Sequence, residues 1–171
     1  MADLNIIFGI SGLAHSSLMN HFYPEDLPED WRLDYYSNEF DVLFCLDSDI
    51  KLLDELQEMI EEKNFTCLLE KKAGLNLELP EQVITVELSH DLNSNNQADH
   101  LQWFKVIADQ QGTGFCLINK LQENTPRTIR ELIETIRNYA SQQSYSEVYV
   151  IFNDDYALEN CQSAKVIDAM M

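Results

Sequence analysis

Ser11, Asp47, Glu70, Glu87, His90, Asn119, Asn153 and Asp154 share one feature of placement: each falls at or just past the end of a short apolar run. If those runs are parallel strands, the eight side chains gather on one rim, where ligands bind in sheets flanked by helices. A histidine among carboxylates could hold a hard divalent cation such as Mg²⁺ or Mn²⁺, with Glu87, His90 and Asp154 as the metal candidates. No metal-motif spacing accompanies them, and in a chain with 30 acidic residues some reach strand ends by chance. No organic cofactor is evident. Acyl-transfer chemistry would need a base such as His15, His21 or His90 beside Ser11, Ser16 or Ser17, but there is no G-x-S-x-G elbow. Ser11-Gly12 also lacks the P-loop lysine and the G-x-G-x-x-G pattern. The simpler reading puts His15 and His21 in a hydrogen-bonded loop. The ligand-binding candidates are Ser11, His15, Tyr23, His90, Asn119, Asn153 and Asp154.

The elements that must position these residues can be read from the hydropathy pattern. Apolar runs at Leu4 to Ile10, Asp41 to Leu46, Phe65 to Leu69, Val83 to Leu88, Phe115 to Ile118 and Val148 to Phe152 predict six strands. Helices are expected from Glu29 to Phe40 and from Ile50 to Ile60, where Ser48 can cap and Asp54 to Glu62 supply a solvated acidic face. Helical spacing of Leu101, Phe104 and Ile107 or Ala108 predicts another from Gln97 to Gln111, with Gly112 at its left-handed end. Thr125-Pro126 is a cap followed by proline at the first helical position, ahead of a stripe through Ile129, Leu132, Ile133, Ile136 and Ala140. The last helix runs from Ala157 to Met171. Strands alternating with helices predict an α/β fold, a mostly parallel sheet of about six βα units. A full (β/α)₈ barrel takes about 250 residues, so the ring is expected to be incomplete or the sheet open.

Composition narrows the partners. At 171 residues and 45% hydrophobic, the chain fits one domain spanning residues 1–171. Its 30 acidic and 11 basic residues give a formal charge of -19, which repels nucleic acid and anionic membranes and admits a basic protein partner. Cys45, Cys67, Cys116 and Cys161 interrupt apolar runs without a C-x-x-C pair and read as buried free thiols. No cationic start leads into a long apolar segment, and no apolar run approaches the ~20 residues that span a bilayer, so the expected location is cytoplasmic. Trp31, Tyr35 and Tyr36 read as the cover over one end of a core before they read as a partner-facing patch.

Two stretches resemble a known family. Phe8-Gly9-Ile10-Ser11-Gly12, Phe22-Tyr23-Pro24, Trp31, Tyr35-Tyr36 and Phe40-Asp41 resemble the opening of the YecE-like family, number seventy-two among the domains of unknown function. Val148 to Tyr156, followed by Ala157, Asn160 and Ala164, resembles its closing strand and helix. The resemblance implies a TIM-barrel-like fold and brings no established reaction. This chain departs from the family pattern at Leu13, in place of a tryptophan, and at Phe44 and Leu46, in place of a pocket glutamate and asparagine. It also carries Asp154 in place of a second asparagine. Apolar side chains at pocket positions predict a non-catalytic domain that binds a protein partner or small ligand at the carboxyl ends of its strands. The alternative is a divalent-metal-assisted hydrolase or lyase at the same rim.

Overall fold

Alternation along the first strand sets the plan of the molecule, because successive side chains of a strand point to opposite faces. In β1 (Asn5–Ser11), Ile6, Phe8 and Ile10 face an outer layer of helices, and Ile7 faces the other way with Val42, Phe44, Leu68 and Ile151. The structure is a computed structural model that describes residues 4–52, 62–70, 83–87, 101–106, 112–121 and 123–171, with 87 and 104–106 as backbone only. Six more strands follow: β2 (Val42–Cys45), β3 (Thr66–Glu70), β4 (Val83–Glu87), β5 (Leu101–Val106), β6 (Thr113–Ile118) and β7 (Glu147–Phe152). Each pairs with its neighbour in chain order, and β1 pairs with β7 as well as β2, so the curled sheet meets itself.

The fold is therefore mixed α/β, with seven strands among the described residues where about six are expected. It is mostly parallel, the exceptions being β5 against β4 and β5 against β6. Of the two expected alternatives, incomplete describes it better than open: as a ring of βα units it falls short of eight, and β5 breaks the parallel order.

That strand overturns the expected helix from Gln97 to Gln111 over its central part. Leu101, Phe104 and Ile107 have helical spacing, but Leu101 and Trp103 also alternate with Gln102, and pairing with β6 selects the period of two. Trp103 lies on the outer face, its ring stacked 4.1 Å from that of Tyr139, and Gln102 takes the opposite face. Gly112 does have a positive φ of 90°, in a turn directly before β6, and residues 107–111 of the expected helix lie outside the described residues.

Gly9 and Tyr36 together seat β2 against β1. A Cβ on Gly9 would run into the Val42 carbonyl oxygen, so only glycine permits this approach. The buried Tyr36 hydroxyl accepts from Ile10 N–H (2.9 Å) and donates to the Val42 carbonyl (2.8 Å), bridging the two strands from helix α2 (Arg32–Ser37). Where a helix from Glu29 to Phe40 is expected, a 3-10 turn over Glu29–Trp31 leads into this shorter helix. Ser16–His21 is a short helix, α1, where a loop is expected. Asp47–Leu52 is a 3-10 segment at the start of the expected Ile50 to Ile60 helix, whose remainder and acidic face lie outside the described residues up to residue 61.

Helix α3 (Pro126–Gln143) forms as its sequence predicts, with Thr125 Oγ1 accepting from Thr128 N–H at 3.2 Å and Ile129, Ile133, Ile136 and Ala140 buried. Helix α4 (Ala157–Ala169) lays Ala157, Leu158, Cys161 and Ala164 against the barrel. Two cysteines depart from the expected free thiols. The pairing of Leu43 with Cys67 and of Cys45 with Leu69 sets Cys45 and Cys67 diagonally on the outer face, Cα atoms 6.4 Å apart, and a disulfide joins them. Cys116 and Cys161 are free and buried.

Candidate functional site

Among the described residues the middle of the barrel interior is apolar. Phe44 and Phe115 stack at 5.6 Å between ring centroids, with Leu68, Val86, Leu117 and Ile151 buried around them. Phe44, at a position where the family resemblance implies a pocket glutamate, fills space instead. Leu46 is 41% exposed just beyond β2.

Above this apolar plug, the inward-facing positions turn polar as β6 and β7 end. Asn153 N–H continues the ladder by donating to the Ile118 carbonyl at 2.8 Å, which holds the two loop starts side by side. Asn153 Nδ2 then donates to Asn119 Oδ1 (3.1 Å), and Asn119 Nδ2 donates to Gln102 Oε1 (2.9 Å). Three neutral amides so form a row across the ends of β7, β6 and β5, with Asn153 and Gln102 exposed. Each link consumes one donor and one acceptor. Among the described residues Asn153 Oδ1 and the Gln102 amino group make no further hydrogen bond, so the row presents an acceptor at one end and a donor at the other.

Asp154, the next residue, goes elsewhere. It is 7% exposed, and its Oδ2 accepts from Asn160 Nδ2 at 2.7 Å in the first turns of α4. Burial pushes its carboxyl above the usual aspartate range, against the pull of the Asp154 and Tyr156 N–H groups, the Asn160 amide and the nearby His15. Asp154 Oδ1 and Asn160 Oδ1 are buried and lack a hydrogen-bond partner among the described residues.

His15 and Ser17 lock the same region. His15 caps α1: its Nδ1 accepts from Ser17 N–H (3.2 Å) and lies 2.9 Å from Ser17 Oγ, which in turn accepts from Leu158 N–H at 3.2 Å. Capping the helix in this way commits the ring's Nδ1 to α1 itself. The Ser-His contact is not a nucleophile and base awaiting substrate. Ser17 is 2% exposed, and its oxygen is occupied by the junction of α1 with α4.

The remaining candidates are scattered. Ser11 is buried at the end of β1, opposite Phe44. Tyr23 packs against Phe22 and Tyr35, with the Arg32 guanidinium 5.9 Å from its ring centroid, and burial raises its phenol's pKa. Glu87 ends β4 with its side chain outside the described residues, and His90 lies outside them altogether. Among the described residues no three His, Cys, Asp or Glu side chains gather to hold a metal ion. Asn119 and Asn153 are thus the two candidates brought together by direct contact, with His15 and Asp154 associated in a second, closed cluster. Sequence reasoning missed Gln102 and the Asn160 partner of Asp154, and it offered Ser17 as a nucleophile rather than as the link between two helices. It also missed Asp49, a buried carboxylate that accepts from Leu46 N–H at 2.9 Å and whose pKa is raised by burial.

The opposite mouth of the barrel differs. An open depression of ≈ 670 Å³ there is lined by Asn5, Thr66, Glu147 and Tyr149 among others. The Tyr149 hydroxyl donates to Glu147 Oε1 at 2.7 Å, and its pKa is pushed up to about 12 by burial and then by that carboxylate.

No family model matches this chain, and no curated protein or solved structure matches it. Among the described residues no helix is long and apolar enough to cross a membrane.

Proposed function

We propose that the protein is a non-catalytic, YecE-like domain on a TIM-barrel-like frame that binds a small neutral ligand or a protein segment at the carboxyl ends of its strands. The observation that carries this reading is the row Gln102, Asn119 and Asn153 lying over a barrel filled by Phe44 and Phe115. Amides recognise by paired donors and acceptors and do not ionise, so such a row suits a ligand that is itself an amide or a polyol. The same groups supply neither a nucleophile nor a proton-transfer group near neutral pH.

A titration of ¹⁵N-labelled protein with acetamide and with glycerol tests the proposal. Shifts confined to the side-chain NH₂ signals of Gln102, Asn119 and Asn153, lost in Asn119→Ala, support it. Shifts spread evenly over the surface, or none at the rim, refute it. The metal-assisted alternative rests on Glu87, His90 and Asp154, and nothing described brings these three together. A rise in melting temperature with millimolar Mg²⁺ or Mn²⁺ would revive it. A cytoplasmic location belongs to the same proposal, and the Cys45–Cys67 bridge weighs against it because reducing compartments keep most thiols apart.

A further inference from the structure

We propose that the segment from Pro24 to Tyr35 is a docking surface for an arginine-bearing basic peptide, with the Trp31 indole as the platform on which a guanidinium stacks. This goes beyond the amide row and concerns a different surface, so either can fail without the other.

The indole is 66% exposed, and Tyr35, four residues on, is 37% exposed. Tryptophan is ordinarily well buried, and where it stands in solvent on a fixed backbone it is the residue type that dominates interface energetics. The backbone here is held. Leu27 N–H donates to the Pro24 carbonyl (3.1 Å), Trp31 N–H donates to the Pro28 carbonyl (3.0 Å), and buried Leu33 and Tyr36 anchor the helix that follows. Salt bridges from Lys51 to Glu29 (2.7 Å) and from Lys63 to Asp34 (2.8 Å) tie the segment to the rest of the chain. A platform already ordered loses little entropy when it binds.

The charge around the platform chooses the occupant. Glu25, Asp26, Glu29, Asp30 and Asp34 are exposed, and the segment's own cation, Arg32, lies over the Tyr23 ring. Glu25 and Asp26 form no ion pair among the described residues. A guanidinium satisfies both features at once, because its face stacks on an indole while its edge pairs with carboxylates. Anionic partners are repelled. So is a second copy presenting the same acidic face, given the formal charge of -19.

Fluorescence anisotropy of a labelled peptide of alternating glycine and arginine decides the matter, read against wild type, Trp31→Ala, Trp31→Phe and Asn119→Ala. Trp31→Ala changes no charge, so it separates stacking from general attraction to an acidic protein, and its exposed position leaves the fold intact. The expected result is a loss of about fivefold for Trp31→Ala, a smaller one for Trp31→Phe, none for Asn119→Ala, and weaker binding of the matching lysine peptide. Failure of the wild type to bind at low salt, or a Trp31→Ala affinity within about twofold of wild type, overturns the proposal by leaving at most diffuse electrostatic attraction. Sedimentation showing self-association that Trp31→Ala abolishes also overturns it, in favour of a second copy of the chain.

Discussion

Asn153 and Asp154 are neighbours in sequence and opposites in structure. Asn153 is exposed, faces the mouth of the barrel and joins a row of amides that leaves hydrogen-bonding capacity at both ends. Asp154 is buried, turns to the outside of the barrel and is engaged by Asn160 and by the start of α4. A strand's alternation is enough to divide them. One grouping is open to solvent, and the other joins β7 and α4 to α1 from within. Polarity at a strand end therefore does not by itself mark a binding residue, and what distinguishes the two groupings is whether their hydrogen bonds are already closed against water.

Substitutions can break that contrast from either side. The largest effect is expected in the closed cluster: Asn160→Ala strips the amide from a buried carboxylate and should cost about 3 kcal/mol, read as a lower midpoint in urea unfolding. Ser17→Ala removes the acceptor of Leu158 N–H and the partner of His15, and about 1.5 kcal/mol should be lost in the same measurement.

The pH dependence sharpens the point. Because burial raises the Asp154 carboxyl, the folded chain keeps a proton that the unfolded chain has already released. The contribution of this group to stability is therefore fully present below the ordinary aspartate value and is lost as pH rises through the raised one. Asp154→Asn should accordingly lose less stability than wild type as pH rises above the ordinary aspartate value, measured as a difference in melting temperature. The smallest effect belongs to the open row. Asn119→Ala should change stability by less than about 0.5 kcal/mol while abolishing the amide response to acetamide.

Some of this was legible from residue order and some was not, for physical reasons. Helix α3 announces itself because Thr125-Pro126 and a five-residue apolar stripe are local signals, and β1 and β7 because each is an apolar run with an abrupt polar end. β5 does not, since Leu101 to Val106 carries both periods and its choice is made by β6, a strand that comes later in the chain. That misreading hid Gln102, the third amide. The bridge between Cys45 and Cys67 depends on the register of β2 against β3, which spacing alone does not give. Asn160 had a signal that could have been read: it is a polar residue on the apolar stripe of Ala157, Cys161 and Ala164, the place where a buried hydrogen bond is required. Helix α1 is six residues long with an imidazole for a cap, too short and too unusual to stand out.

The division between the adjacent residues is tested most directly by unfolding Asn153→Ala and Asp154→Ala side by side in urea at neutral pH. Asp154→Ala should lose about 2 kcal/mol, because it leaves the buried Asn160 amide without its acceptor, and Asn153→Ala less than about 0.5 kcal/mol. Equal losses, or a larger loss at Asn153, would contradict the account by making the amide row part of the framework rather than a surface held ready for a ligand.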